Sequence, residues 1–172
     1  MTGAPAIEVR TSGPLELTLL AALHTACFAD GAGGAAWSAG DIAEVLSIPG
    51  SFARIATATP KEESPDRAAP AAQPVGLLLA RVVGQDCEIL SLGVAPPWRR
   101  RGVARRLLRS LAAELPGLGA RQVFLEVAED NAAARGLYRA EGFARIGRRP
   151  DYYRRAGRPP AAALVFSRRV MP

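Results

Sequence analysis

The chain has 172 residues, of which 49% are hydrophobic and 22% charged, and its net charge is +6. This length suits one domain with a single core, and the composition excludes a disordered or fibrous protein. One histidine, His24, and two widely spaced cysteines, Cys27 and Cys87, predict no metal site and argue against a histidine-based catalytic triad. The excess of arginine predicts an anionic partner, although an arginine-rich composition bias would produce the same excess.

No part of the N-terminus combines a basic start with an apolar core, so we expect no signal peptide. No apolar run reaches the ~20 residues that cross a bilayer. The sequence therefore predicts a cytoplasmic protein without a membrane partner.

Hydrophobic periodicity and turn residues predict the element order β-α-α-β-β-β-α-β-α-β-β. Ser38 is predicted to cap the second helix, and Gly142 to end the fourth. The predicted elements are a strand at 7–10, helices at 14–28 and 39–46, strands at 51–57, 75–83 and 87–94, a helix at 102–115, a strand at 122–127, a helix at 131–141, and strands at 143–148 and 162–168.

The segment 59–74 breaks this pattern, because it combines several prolines with charged residues and alanine. We predict a long, flexible hairpin loop here. A linker between two domains is the less favoured alternative, because the part before it is too small to close a core. The prediction is therefore a single domain over residues 1–172.

The run Arg99-Arg100-Arg101-Gly102-Val103-Ala104 follows a predicted strand and opens a predicted helix. Backbone N–H groups and the helix dipole at such a turn favour a bound phosphate. Gly102 permits close approach of the backbone, and Ala104 keeps the next turn clear. The alternative is an ordinary solvated turn. The Gly-x-Gly-x-x-Gly run of dinucleotide-binding folds is absent from the sequence.

The spacing Arg-x-x-Gly-x-Ala resembles the pyrophosphate-binding motif of the GNAT superfamily of acyl-CoA N-acyltransferases. Leu125-Glu126-Val127, Asn131, Leu137-Tyr138 and Gly142-Phe143 extend this resemblance over about 75–143. The resemblance implies an α/β (α+β) GNAT fold: a mixed, mostly antiparallel seven-stranded sheet, splayed at its centre, with helices on both faces. It also implies acetyl-CoA as the co-substrate.

Further residues resemble the RimI-type enzymes, which acetylate the N-terminal alanine of a small-subunit ribosomal protein. These residues are Trp37-Ser38, Glu126, Tyr138 after Asn131, and Asp151-Tyr152-Tyr153. The resemblance implies a protein N-terminus as the acceptor. The chain departs from the RimI-type pattern at two places that concern substrate recognition. These are the long segment 59–74 and the lack of acidic residues in 154–163.

The resemblance also implies roles for individual residues. Glu126 is the expected general base, directly or through water, and Tyr138 the expected acid for the leaving thiolate. The expected acetyl-CoA site consists of Leu92, Gly93, Val94, Arg99, Arg100, Arg101, Gly102, Val103, Ala104, Arg105 and Asn131. In the family a β-bulge at the first three of these splays the sheet, and their backbone holds the pantetheine arm and polarises the thioester. The expected acceptor groove consists of Trp37, Tyr152 and Tyr153.

Each role has a structural alternative. Glu126 would be a strand carboxylate paired with an arginine, and Tyr138 a core residue. Asn131 would cap its helix, and Trp37 would form a hydrophobic staple.

Two other functions stay open from the sequence. One is a GNAT enzyme that acts on a small amine, and the other is a non-catalytic module that binds acetyl-CoA or nucleic acid. Direct nucleic-acid binding is not expected, because basic and aromatic residues alternate only in the short stretch 151–158.

Overall fold

The protein is described from a computed structural model, which covers residues 5–29, 36–59, 71–155 and 158–171. Its elements follow the predicted order, with one added 3-10 turn at Pro96–Trp98. They are β1 (Ala6–Thr11), α1 (Leu17–Phe28), α2 (Ala39–Ser47), β2 (Ser51–Thr59), β3 (Gln73–Val83), β4 (Asp86–Val94), α3 (Val103–Glu114), β5 (Gln122–Ala128), α4 (Ala132–Ala140), β6 (Ala144–Arg155) and β7 (Arg158–Arg169).

In the described part of the chain, the strands form one seven-stranded sheet in the order β1-β2-β3-β4-β5-β7-β6. All neighbouring pairs are antiparallel except β4 and β5, which are parallel. A parallel pair needs a crossover connection, and α3 provides it. The mixed, mostly antiparallel sheet is therefore as predicted.

Two apolar clusters lie on the two faces of the sheet. The first joins α3 and α4 to the sheet through residues such as Leu107, Leu111, Tyr138 and Phe166. The second joins α1 and α2 to the sheet through Leu20, Ile42, Leu77 and Leu79. Strand side chains alternate between the faces, so β3 contributes to both clusters. The prediction of helices on both faces is confirmed.

Local sequence explains where the helices begin and end. Ser38 forms a capping box with Asp41, as its hydroxyl accepts the Asp41 N–H and its own N–H donates to the Asp41 carboxylate. Gly142 has φ +83° after α4, and Phe143 N–H donates to Tyr138 O, as in a Schellman motif. Both predicted helix ends are confirmed.

Several predicted boundaries differ from the structure. The first helix begins at Leu17 rather than at 14, because the Glu16 carboxylate accepts the Gly13 N–H at 2.7 Å and holds a turn before it. The loop predicted at 59–74 is shorter at both ends, since Thr59 ends β2 and Gln73 begins β3. Residues 60–70 of that loop lie outside the described residues.

Strand β6 extends well beyond the predicted 148, and its pairing with β7 shifts register at three places. Asp151 has φ +51° within this irregular stretch. Such irregular pairing hides the two-residue alternation that reveals a strand in a sequence.

Candidate acyl-CoA and acceptor site

The sheet opens between β4 and β5. In the described residues, these strands pair over Asp86–Ile89 and Gln122–Leu125, and beyond those positions they diverge. The β3–β4 register shifts between Ile89 and Ser91, so Leu90 is an extra residue of β4 at the point of divergence. The sequence-based prediction placed this bulge at Leu92–Val94, which is wrong. A bulge depends on pairing with the neighbouring strand, and the pattern of β4 alone does not reveal it.

Beyond the bulge, Leu92, Gly93 and Val94 pair only with β3 among the described strands. Their other edge faces the opening. Gly93 also lies against α1, because a Cβ built on it would come 2.7 Å from Cys27 Cβ and 2.9 Å from Phe28 Cε2. The close packing of α1 thus accounts for a glycine here.

The arginine-rich turn lies between the end of β4 and α3. Arg100 has φ 64° and Gly102 has φ 81°, in the left-handed region, and Gly102 is the N-cap of α3. The first helical hydrogen bond runs from Arg106 N to Gly102 O at 3.0 Å. The N–H groups of Val103, Ala104 and Arg105 therefore have no acceptor within the helix. Free N–H groups at a helix N-terminus favour the binding of an anion.

The arginines of this turn differ in what they contact. The Arg99 guanidinium donates to Val94 O at 3.2 Å and to Cys27 O at 2.8 Å, so it ties β4 to the end of α1. Arg105 Nε lies 2.7 Å from a carboxylate oxygen of Glu141, which is buried. Arg101 lies over the Trp98 ring, 5.4 Å from its centroid. Arg99 and Arg105 are thus engaged with protein groups, and a phosphate contact from Arg100, Arg101 and the helix N–H groups stays a prediction.

Glu126 is the first residue of β5 beyond the stretch that pairs with β4. Its neighbours Leu125 and Val127 point into the α3/α4 core, so its own side chain faces the opposite side of the sheet. Its carboxylate lies 3.1 Å from Arg149 Nε and accepts a hydrogen bond from the Tyr152 hydroxyl. That hydrogen bond is the main cause of the raised pKa of Tyr152.

Arg149 was not among the predicted site residues. It lies on β6 and reaches Glu126 of β5 across the intervening strand β7. It also lies over the Tyr152 ring, 5.7 Å from the ring centroid. No sequence pattern reveals this contact, because it depends on the register of three strands. The register between β6 and β7 shifts both before and after Arg149.

Tyr138 lies on α4 with 7% of its surface exposed. Its ring packs against Phe143 and Phe166, with centroid distances of 5.9 and 6.2 Å. Burial raises its pKa, and the nearby Tyr153 raises it further, so the hydroxyl keeps its proton at neutral pH. Both the proton-donor role and the packing role are compatible with this position.

Asn131 caps α4, because its side-chain oxygen accepts the Ala134 N–H at 3.0 Å. The predicted cap is therefore confirmed, and a contact to acetyl-CoA stays a prediction. Of the residues predicted to form the acceptor groove, Tyr152 and Tyr153 stack edge to face with centroids 5.2 Å apart. Trp37 packs against the α1/α2 cluster that contains Ile42, and its contact with an acceptor stays a prediction. The packing against this cluster fits the staple alternative.

His24 contacts Trp37 directly. The Trp37 N–H donates to His24 Nδ1 at 3.1 Å, and the two rings stack at 5.2 Å. The other ring nitrogen, Nε2, lies 3.1 Å from the Ser91 hydroxyl oxygen, just past the bulge of β4. No sequence pattern predicted a role for His24 in the site.

The described residues contain no group of three or more His, Cys, Asp and Glu side chains that could hold a metal ion. Within the same ranges, no helix has the length and apolar character needed to cross a bilayer.

Comparison with protein families matches residues 59–143 to the Acetyltransferase (GNAT) family. This segment includes the opening of the sheet, the arginine-rich turn and Glu126. The chain carries a GNAT acetyltransferase domain. Its sheet and four helices form the GNAT fold, as the sequence predicted.

Among curated proteins, the chain is similar to the N-alpha-acetyltransferase RimI of Mycobacterium tuberculosis, with 44% identity over 79 residues. The match covers 46% of this chain and 48% of that relative, so it spans about half the length of each.

Two solved structures show the same fold. The ribosomal-protein-S18-alanine N-acetyltransferase from Escherichia coli has a TM-score of 0.78 at 20% identity, over 97% of this chain and 96% of that one. A nourseothricin acetyltransferase has a TM-score of 0.69 at 21% identity, over 96% and 99% of the two chains.

Proposed function

We propose that this GNAT domain transfers the acetyl group of acetyl-CoA to the N-terminal α-amine of a protein. The observation that carries the proposal is the 44% identity, over 79 residues, to an N-alpha-acetyltransferase. We further propose that the acceptor is the N-terminal alanine of a small-subunit ribosomal protein. The fold shared with the S18-alanine acetyltransferase supports this acceptor.

The acid–base chemistry of the acceptor also supports an α-amine. At pH 7 an α-amine with a pKa of about 7.7–8.0 is roughly 10–20% neutral, whereas a lysine amine with a pKa of about 10.4 is well under ~0.1% neutral. An α-amine therefore demands less of the base. A polyamine or other polycation would favour an acidic cleft, and this chain carries a net charge of +6.

In the proposed reaction, the turn at Arg100 and Arg101 holds the pyrophosphate of acetyl-CoA, and the thioester lies in the opening beside Leu92–Val94. The amine nitrogen attacks the thioester carbonyl carbon, and Glu126 accepts the proton that the amine loses. Backbone N–H groups of β4 stabilise the oxyanion. The carbon–sulfur bond then breaks, and the Tyr138 hydroxyl protonates the leaving thiolate.

Arg149 has a defined place in this scheme. The neutral amine loses a proton to a carboxylate, so the base must be ionised when the acceptor binds. Arg149 and Tyr152 both contact the Glu126 carboxylate. They also hold it on the side of the sheet away from the α3/α4 core.

The test is acetyl transfer from labelled acetyl-CoA to a panel of peptides that differ in their first residue. Each peptide of the panel has a matched control of the same sequence, except that its N-terminus is blocked and one internal residue is lysine. We expect label on the free α-amine, read by mass spectrometry, and none on the blocked peptide. Labelling of the lysine alone would contradict the proposal.

A small-molecule amine is the second candidate, and the similarity to a nourseothricin acetyltransferase supports it. A panel of aminoglycosides, polyamines and amino acids in the same assay separates the two. Binding of acetyl-CoA without transfer to any amine would instead indicate a non-catalytic module.

A further inference from the structure

His24 is the only histidine of the chain, and 3% of its surface is exposed. Its ring lies next to those of Phe28 and Trp37, with centroid distances of 4.4 and 5.2 Å. A buried imidazole needs a partner for each ring nitrogen, and both nitrogens of His24 have one.

These partners determine the protonation of the ring. The Trp37 N–H donates to Nδ1, so Nδ1 must carry a lone pair. In the neutral ring the proton then lies on Nε2, which donates to the Ser91 hydroxyl oxygen. Burial lowers the pKa of His24 and favours this neutral ring.

The two partners belong to different elements, and each is linked to a different predicted part of the site: Ser91 to the acetyl-CoA site and Trp37 to the acceptor groove. Ser91 directly follows the bulge residue Leu90 and precedes Leu92–Val94, the stretch of β4 that faces the opening. Trp37 directly precedes the N-cap of α2. His24 and Ser91 are 67 positions apart in the chain, so this link is a purely tertiary one.

Two further contacts connect the end of α1 to the same part of β4. Arg99 donates to both Cys27 O and Val94 O. Gly93 lies so close to Cys27 and Phe28 that a Cβ would collide with them. The half of β4 that pairs with β3 only is therefore also held from the α1 side, at Ser91, Gly93 and Val94. Among the residues that make these contacts, His24 also accepts the Trp37 N–H.

We propose that His24 is a positioning residue with two separable functions. This inference rests on the function proposed above. Its Nδ1 holds Trp37 for binding of the acceptor peptide. Its Nε2 holds Ser91, and with it the half of β4 that binds the acetyl-CoA thioester.

Two substitutions separate these functions. His24→Asn keeps an acceptor near the place of Nδ1 and loses the donor to Ser91. His24→Gln keeps a donor near the place of Nε2 and loses the acceptor for Trp37 N–H. Ser91→Ala removes the His24–Ser91 contact by changing the other partner. Thr25→Gln, at the exposed neighbouring position of α1, is the matched control.

Steady-state kinetics with acetyl-CoA and an acceptor peptide that has a free N-terminal amine give the readout. We expect His24→Gln to raise the KM for the peptide about fivefold and to leave the KM for acetyl-CoA unchanged, as for loss of one hydrogen bond. We expect His24→Asn and Ser91→Ala to raise the KM for acetyl-CoA or lower kcat by a similar factor, with the peptide KM unchanged. Thr25→Gln should match the wild type.

The proposal is wrong if the Asn and Gln variants change the same parameters equally, or change none, since a merely packed ring predicts either result. Because either variant could fail to fold, the wild-type ring is also measured by ¹⁵N NMR. As the only histidine, it gives an unambiguous signal, and a proton on Nδ1 at neutral pH would overturn the proposal.

The same experiments distinguish failure of the proposed function. If the wild type acetylates no amine in the panels, that function fails. The role of His24 is then decided by acetyl-CoA binding in a thermal-shift titration. His24→Asn and Ser91→Ala must weaken acetyl-CoA binding, and His24→Gln must not. Any other pattern of effects among these variants overturns the inference.

Discussion

Glu126 and Arg149 lie on strands that are not neighbours, and their side chains meet across β7 at an Oε1–Nε distance of 3.1 Å. This contact holds the Glu126 carboxylate at the point where β4 and β5 separate, with the Tyr152 hydroxyl donating to it. The geometry joins a possible base to residues of the predicted acceptor groove.

Glu126→Gln should lose most of the transfer activity and keep acetyl-CoA binding, because a general base contributes about 10²–10⁴-fold in rate. The loss should shrink as the pH rises, since more of the acceptor amine is then neutral without help. Glu88→Gln is the control, because Glu88 is also a strand carboxylate paired with an arginine, Arg81. Normal turnover by Glu126→Gln at pH 7 would leave Glu126 with a structural role only.

Tyr138→Phe should slow acetyl transfer and leave acetyl-CoA affinity and melting temperature nearly unchanged. The substitution keeps the ring that packs against Phe143 and Phe166 and removes only the hydroxyl. An acyl donor with a more acidic thiol should rescue the variant more than it helps the wild type. Single-turnover rates with both donors test this, and equal rates for Tyr and Phe would eliminate Tyr138 as the acid.

Acetyl-CoA should raise the melting temperature of the wild type, because it binds the folded state only. The double substitution Arg100→Glu and Arg101→Glu should abolish that rise by placing anions at the phosphate-binding turn. Arg121→Glu with Arg169→Glu makes the same change in net charge at exposed positions just before β5 and at the end of β7, away from the turn. A normal shift in the first variant, measured by scanning fluorimetry, would refute the phosphate site.

Gly93→Ala should destabilise the protein by about 1–3 kcal/mol, because the added Cβ collides with Cys27 and Phe28 in a packed contact. Gly136→Ala is the matched control within α4, where a Cβ meets nothing within 4 Å. That change should stabilise the helix by about 0.5–1 kcal/mol. Urea unfolding of both variants measures the difference, and equal stabilities would contradict the close approach of α1 to β4.

Glu16→Gln should destabilise the protein at neutral pH and have little effect in acid. Hydrogen bonds from Arg10 and from Gly13 N–H lower the pKa of Glu16 from 4.5 to about 2. Because the folded state holds the carboxylate ionised, this contribution is fully present above about pH 4.5 and declines as the pH falls towards 2. Urea unfolding at pH 7 and pH 3 tests it, and a stability difference that grows on acidification would contradict the assignment.

Much of this protein follows from short-range patterns in the sequence. The element order, the capping box at Ser38 and the glycine end of α4 at Gly142 depend on neighbouring residues and are therefore visible in the chain itself. The arginine-rich turn is visible for the same reason, because a strand, a glycine and a helix start lie within a few positions. These patterns also led to the GNAT family.

Tertiary structure alone determined the parts of the site that join distant elements. The bulge at Leu90 depends on pairing with β3, and the Glu126–Arg149 contact depends on the register of three strands. The His24–Ser91 contact joins a helix to a strand far along the chain. The physical reason is the same in each case: strand register and helix docking follow from packing of the whole sheet, and no local run of residues specifies them.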